Sequence, residues 1–115
     1  VGSEMCIRDS IKNATIIVAL AGSTAGITTI EYEPGLIKDL PAILDDIAPM
    51  DRNYHHDDTW HDGNGYAHIR AALLGSSVTI PLIDGALLLG TWQQIVLIDF
   101  DNKPRARNIH VQILS

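Results

Sequence analysis

The hydrophobic positions along this chain switch between strand-like and helix-like spacing, and the switches mark out its elements. Residues 15–20, Thr-Ile-Ile-Val-Ala-Leu, are apolar and largely β-branched, which predicts a buried strand. Ala21-Gly22-Ser23 interrupts it, and residues 27–32 resume as a second strand. Glu33-Pro34-Gly35 then opens a helix, because proline in a first turn has no N–H partner to lose. Leu36, Ile37, Leu40, Ile43, Leu44 and Ile47 recur at helical spacing as one apolar stripe, with Lys38, Asp39, Asp45 and Asp46 outside it. Pro41, inside this pattern, predicts a kink or a restart capped by Asp39. Pro49 ends the run.

Residues 50–65 are polar and end in turn-forming residues, so they read as a long loop, a feature that in compact domains tends to be functional. Residues 68–74 form a short helix stopped by Gly75. Residues 77–82 are a strand, Asp84-Gly85 is a hairpin turn, and residues 86–90 return antiparallel. A longer apolar strand covers 93–100. After a turn at 101–104, residues 105–114 alternate, with Ile109, Val111 and Ile113 on one face and His110 and Gln112 on the other. The whole predicts an α+β domain of mostly antiparallel sheet with two inserted helices. Residues 1–10 show no amphipathic period and read as foreign to the fold or disordered, which leaves 11–115 as a single domain.

Composition narrows the function classes. The chain carries 14 acidic against 8 basic residues, a net charge of −6. Its one basic grouping, Lys103-Pro104-Arg105-Ala106-Arg107, reads as a solvated turn, so nucleic-acid binding is not expected. No apolar run reaches the roughly 18 residues of a membrane span, and the first ten residues lack the apolar stretch of a signal peptide. A lone cysteine, Cys6, makes neither an internal disulfide nor a cysteine-based zinc site, in keeping with a reducing, cytoplasmic setting.

The candidate chemistry sits between Tyr54 and His68, which hold four of the five histidines among carboxylates and glycines. His56, His61 and His68 are spaced to converge across a loop, whereas His55 points elsewhere if the backbone is extended. His68, placed in the first turn of its helix, is kept neutral by the helix dipole and so is ready for a proton or a metal. Asp62 is suited to orient a histidine, and Gly63 and Gly65 to admit a ligand close to the backbone. Asp58-x-x-x-Asp62-Gly63 is no calcium loop, since Trp60 stands at a ligand position and the terminal glutamate is missing. Ser23-Thr24 at a strand break is either an anion-holding turn or a plain one. Thr91-Trp92-Gln93 and Glu31 offer polar groups to the same pocket, or simply to a solvated strand face. His110 reads as an ordinary exposed residue.

These residues carry a resemblance. Gly22-Ser23-Thr24-Ala25-Gly26-Ile27-Thr28-Thr29-Ile30-Glu31, Tyr54-x-His56, the block Asp62 to Ser77 and Leu89-Gly90-Thr91-Trp92-Gln93 resemble the YjbQ-like family, whose members are commonly labelled secondary thiamine-phosphate synthases. The resemblance implies an α+β homotrimer with a histidine pocket able to take a divalent metal, zinc foremost, on His56 and His68. It places Glu31, Asp62 and Asn64 in that pocket, with Thr91, Trp92 and Gln93 nearby. The family's motif histidine falls on Gly22 here, so a third imidazole is lost unless His61 or Glu31 substitutes. Family members also carry about two further strands before the point matching Ile11, which implies an exposed sheet edge.

The implied reaction joins hydroxymethylpyrimidine pyrophosphate to a thiazole phosphate with loss of pyrophosphate. Within that resemblance its chemistry falls to His56, His68, Asp62 and Glu31. Substrate binding falls to Ser23, Thr24, Asn64, Arg70, Thr91, Trp92 and Gln93, and a cation or Arg70 neutralises the leaving group. Two other functions use the same residues: a non-catalytic trimeric module that binds a metal or metabolite, and a hydrolase of a small phosphorylated metabolite.

Overall fold

A computed structural model describes residues 11–115, so the expectations for 1–10 lie outside the described residues. The element order is β1 (Ala14–Leu20), β2 (Ala25–Glu31), α1 (Pro34–Ile47), α2 (His55–Trp60), α3 (Gly65–Leu74), β3 (Ser77–Ile83), β4 (Ala86–Leu87), β5 (Gln93–Asp99) and β6 (Ile109–Leu114). The strands form a four-stranded sheet in the order β4-β3-β1-β6 and a separate β2-β5 pair. Every pairing is antiparallel, as the α+β reading expects.

β1 lies centrally because its alternation gives it a buried face: Ile16, Val18 and Leu20 point inward. Ile16 sits opposite Ile80 on one side and Ile113 on the other, and Val18 opposite Val78 and Val111. These cross-strand rows of β-branched side chains fix the register, since a slip of one residue would turn the whole row outward. Ala25, Ile27 and Leu82 complete this core. Asp84 and Gly85 both adopt positive φ, 51° and 79°, the turn that matches strand twist. The return strand is shorter than expected, only Ala86–Leu87, and β6 begins at Ile109 rather than at residue 105.

α1 runs unbroken through Pro41, so the restart at Asp39 does not occur. Its cap is Glu33, whose carboxylate accepts the Gly35 and Leu36 N–H groups. Of the apolar stripe only Leu44 is buried, while Ile43 and Ile47 are 56% and 54% exposed. Leu44 packs with Tyr66, Ala67, Ala71 and Phe100 in a second core cluster. A shallow apolar groove of about 380 Å3 beside α1 is lined by Ile37, Leu40 and Val96 among others. Among the described residues no helix is long and apolar enough to cross a membrane.

The segment expected as a loop contains α2, a helix of six residues with none buried. His61 ends it in the left-handed region at φ 58°. α3 starts at Gly65, three residues earlier than the pattern suggests. A Cβ on Gly65 would lie within 3 Å of Tyr54 Cβ and Cγ, so glycine here admits the Tyr54 ring rather than a ligand. Tyr54 in turn donates its hydroxyl to Pro49 O at 2.6 Å.

Candidate functional site

The short helix α2 and the start of α3 face each other, and this brings two distant imidazoles together. The His56 and His68 rings lie 4.2 Å apart between centroids, tilted by 47°. Both are partly buried. His68 is one turn inside α3, with its N–H bonded to Asn64 O, so it is not a first-turn residue as the sequence suggested. The dipole argument for its neutrality therefore weakens.

His56 Nε2 lies 3.2 Å from Asn64 Oδ1 and 3.2 Å from Asp62 Oδ1. Its hydrogen bond goes to Asn64, which leaves Asp62 Oδ1 buried without a hydrogen-bond partner. Asp57 adds a third donor: one ligand atom each from His56, Asp57 and Asp62 lies within 4.8 Å of the others. Asp57 also accepts the Gly65 N–H at 3.0 Å, capping α3 from eight residues away. Sequence reasoning passed over Asp57, and neither substitute it named for a third ligand joins the set. His61 is exposed at the end of α2, and Glu31 is exposed on β2.

Behind this cluster lies a polar network that includes Arg105 and Arg107, read from sequence as part of a solvated turn. Asn64, 1% exposed, donates Nδ2 to Asp101 Oδ1 at 3.2 Å. Asp101, its side chain fully enclosed, also accepts from Thr24 Oγ1 at 2.9 Å and from Arg105 Nε. Burial alone would push its carboxyl up. The hydrogen bonds from Asn64, Thr24, Arg105 and the Asn102 N–H outweigh that and hold it at about 2. Arg107 grips Asp99 with two nitrogens, Nε at 2.9 Å and Nη2 at 2.8 Å, and Nη2 also donates to Thr24 Oγ1 at 2.7 Å. That pairing lowers the Asp99 carboxyl and raises the Arg107 guanidinium.

A cleft of about 710 Å3 opens in front, with Ser23, His56, Asp62, His68, Arg105 and Arg107 on its wall. Ser23 and Thr24 thus reach the site, although the Thr24 hydroxyl is committed to Asp101 and Arg107. Arg70 does not reach it. Its Nε donates to Ala48 O at 3.0 Å and its Nη2 to Asp45 at 2.8 Å, so this buried guanidinium ties α1 to α3 and does not serve the cleft. His55 and His110 are exposed and stand apart.

Glu31, Thr91, Trp92 and Gln93 do not reach the histidines within one copy of the chain. Glu31 pairs with Gln93 at the far end of the β2-β5 ribbon, while Ala25 pairs with Asp99 at the near end. Six residues of strand separate the two ends, about 20 Å. Gln93 instead donates to Thr29 Oγ1 at 2.9 Å and accepts the Gly90 N–H at 2.9 Å. Trp92 is 72% exposed.

Comparison with known proteins places this geometry in a family. A family model described as UPF0047 protein YjbQ-like matches residues 3–115, further toward the start of the chain than the motifs alone carry the likeness. A UPF0047 protein of Archaeoglobus fulgidus is 35% identical over 111 residues, covering 96% of this chain and 84% of that protein. One from Methanothermobacter thermautotrophicus is 39% identical over 103 residues, covering 90% and 70%. Among solved structures, an uncharacterised YjbQ/UPF0047 protein of Clostridium acetobutylicum superimposes with TM-score 0.84 at 36% identity, over 96% of this chain and 84% of the other. A protein of unknown function from Sulfolobus solfataricus gives TM-score 0.84 at 35% identity, over 94% and 77%. The chain therefore belongs to the YjbQ-like UPF0047 family.

Proposed function

We propose that the cleft is a metal-assisted active centre for a small phosphorylated metabolite. The observation that carries this reading is the meeting of His56, Asp57 and Asp62 donor atoms, one of them the buried, unbonded Asp62 Oδ1. The nearest donor to this oxygen, His56 Nε2 at 3.2 Å, is turned to Asn64, and a buried carboxylate oxygen left so is costly, whereas a cation satisfies it. One imidazole and two carboxylates suit zinc among divalent ions, though magnesium or manganese would also accept the oxygens.

When bound, such a cation would supply charge stabilisation to the phosphate oxygens of the ligand. His68 stacks on His56 outside the converging donor set, which frees its ring to hold or pass a proton at a substrate oxygen. In the metal-free protein Asn64, locked by Asp101, holds His56 through Nε2. Phosphate-ester hydrolysis and the joining reaction of thiamine-phosphate synthesis both call for charge to be neutralised on phosphate oxygens: in hydrolysis water attacks the phosphoryl group and the alcohol leaves, and in joining the carbon–oxygen bond breaks and pyrophosphate leaves.

The far end of the β2-β5 ribbon joins the reading only through assembly. In the proposed homotrimer, Glu31, Thr91, Trp92 and Gln93 would meet the cleft of a neighbouring copy. The exposed Ile43, Ile47, Trp92 and Leu97 support burial between copies.

The experiment is a zinc titration of the purified protein, followed by phosphate-release assays on phosphomonoesters and rescue of a thiamine auxotroph. Zinc binding lost in His56→Ala and Asp62→Ala, with activity lost in those variants and in His68→Ala, supports the reading. Zinc retained in both ligand variants overturns it. Rescue without phosphate release selects the joining reaction, and release without rescue selects hydrolysis.

A further inference from the structure

The link between β1 and β2 brings Gly22 against the guanidinium of Arg107. A Cβ built on Gly22 would lie 3.1 Å from Arg107 Nη1, closer than a side chain tolerates without a shift. Arg107 is held firmly from behind: Nε and Nη2 are bonded to Asp99 and Thr24, and its side chain is only 11% exposed. None of the hydrogen bonds among the described residues uses Nη1. Gly22, Ser23 and Arg107 line the same cleft as His56, His68 and Asp62.

We infer that Gly22 and Arg107 form a seat for one oxyanion group of the ligand, a phosphate or a carboxylate, with Nη1 as its charged donor and the Ser23 hydroxyl beside it. Deepening the active-centre reading, the seat rests on it for the identity of the cleft. Glycine at 22 keeps the Nη1 face open, and the Asp99 pairing orients the fork so that a bound oxygen meets directed N–H groups. Specificity arises from direction rather than net charge, because Asp99 and Asp101 already balance Arg107 and Arg105. The nearby Asp62 carboxylate repels an anion, so the seat fills more readily when zinc occupies the neighbouring donors, and by linkage the anion strengthens zinc binding equally.

Calorimetric titration of the full chain with inorganic phosphate, and separately with acetate, tests this. Phosphate or acetate should bind the unaltered protein. Gly22→Ala, which sits on an exposed link of ordinary φ, should weaken that binding about five-fold or more while leaving the zinc affinity and the unfolding temperature unchanged. Arg107→Lys should weaken it further, and Gly22→Ala keeps the test valid if Arg107→Lys fails to fold. His56→Ala should lose zinc and keep the zinc-free affinity for the anion, which separates failure of the metal reading from failure of the seat. Tighter phosphate than acetate assigns a phosphorylated ligand, and the reverse a carboxylated one. The seat is refuted if neither anion binds, or if both bind Gly22→Ala as tightly as the unaltered protein.

Discussion

Asp101 sets the orientation of Asn64: the carboxylate accepts Nδ2 at 3.2 Å and so turns the amide oxygen toward His56 Nε2, also 3.2 Å away. An ionised carboxylate can only accept, so the amide has no freedom to flip. His56 must then carry a proton on Nε2, or give it up to a cation. Nitrogen-15 spectra of the metal-free protein should show the Nε2–H tautomer of neutral His56. Asn64→Asp would set a second carboxylate against Asp101 and should cost about 3 kcal/mol in chemical denaturation. Unchanged stability in that variant would mean the network is not closed in solution.

Asp101 also gives the fold an acid limit. Its folded-state value, about 2, lies below the ordinary 3.8, so its hydrogen bonds stabilise the fold fully above pH 3.8. That contribution is lost as pH falls toward 2. Asp99, likewise lowered, acts in the same direction. Denaturation midpoints should therefore fall steeply between about pH 4 and pH 2, and Asp101→Asn should flatten that fall while lowering stability at neutral pH. A variant with the same acid slope as the unaltered protein would remove Asp101 from this role.

Two glycines are predicted to be intolerant for steric reasons. A Cβ at Gly26 would lie 2.9 Å from Gly75 O and within 3 Å of the Leu74 side chain, where β2 passes the end of α3. Ile27 N–H bonds to that same Gly75 O at 2.9 Å, so the backbone cannot retreat. Gly26→Ala and Gly65→Ala should each cost about 2–3 kcal/mol by thermal unfolding, whereas Gly22→Ala should cost little. Equal stability of all three would show that the strand and helix can part without penalty.

His61 provides a control for the metal cluster. It is exposed and caps α2 in the left-handed region, so His61→Asn or His61→Gly should leave zinc affinity within about two-fold. His56→Ala should lower it by about ten-fold or more. Equal losses in calorimetric titration would argue that the cluster is assembled from His61 instead of Asp57.

Much of the framework was legible because period-two alternation around Ile16, Val18, Val111 and Ile113 leaves one register that buries them. The Asp84-Gly85 turn and the Pro34 helix start were equally plain. α2 was not, since His-His-Asp-Asp-Thr-Trp buries nothing and has no apolar stripe to betray a helix. In the site, the His56–His68 pairing and the presence of Thr24 and Asn64 could be anticipated, but Asp99, Asp101, Arg105 and Arg107 behind them could not. Thr24, Asp101 and Arg107 are up to 83 positions apart and meet only because β2 pairs with β5 at Ala25 and Asp99. One signal was present: Asp99-x-Asp101 and Arg105-x-Arg107 share a spacing across a turn, as paired ends do. The apolar stripe of α1 misled in the opposite sense, as its periodicity is real while most of it stays uncovered.

The most direct test of the active-centre reading is anomalous diffraction at the zinc edge from crystals grown with the metal. A single strong peak about 2.0–2.2 Å from a His56 ring nitrogen and from carboxylate oxygens of Asp57 and Asp62 is the result predicted here. Zinc lodged elsewhere, or His56 and His68 swung apart with no density between Asp57 and Asp62, would contradict it.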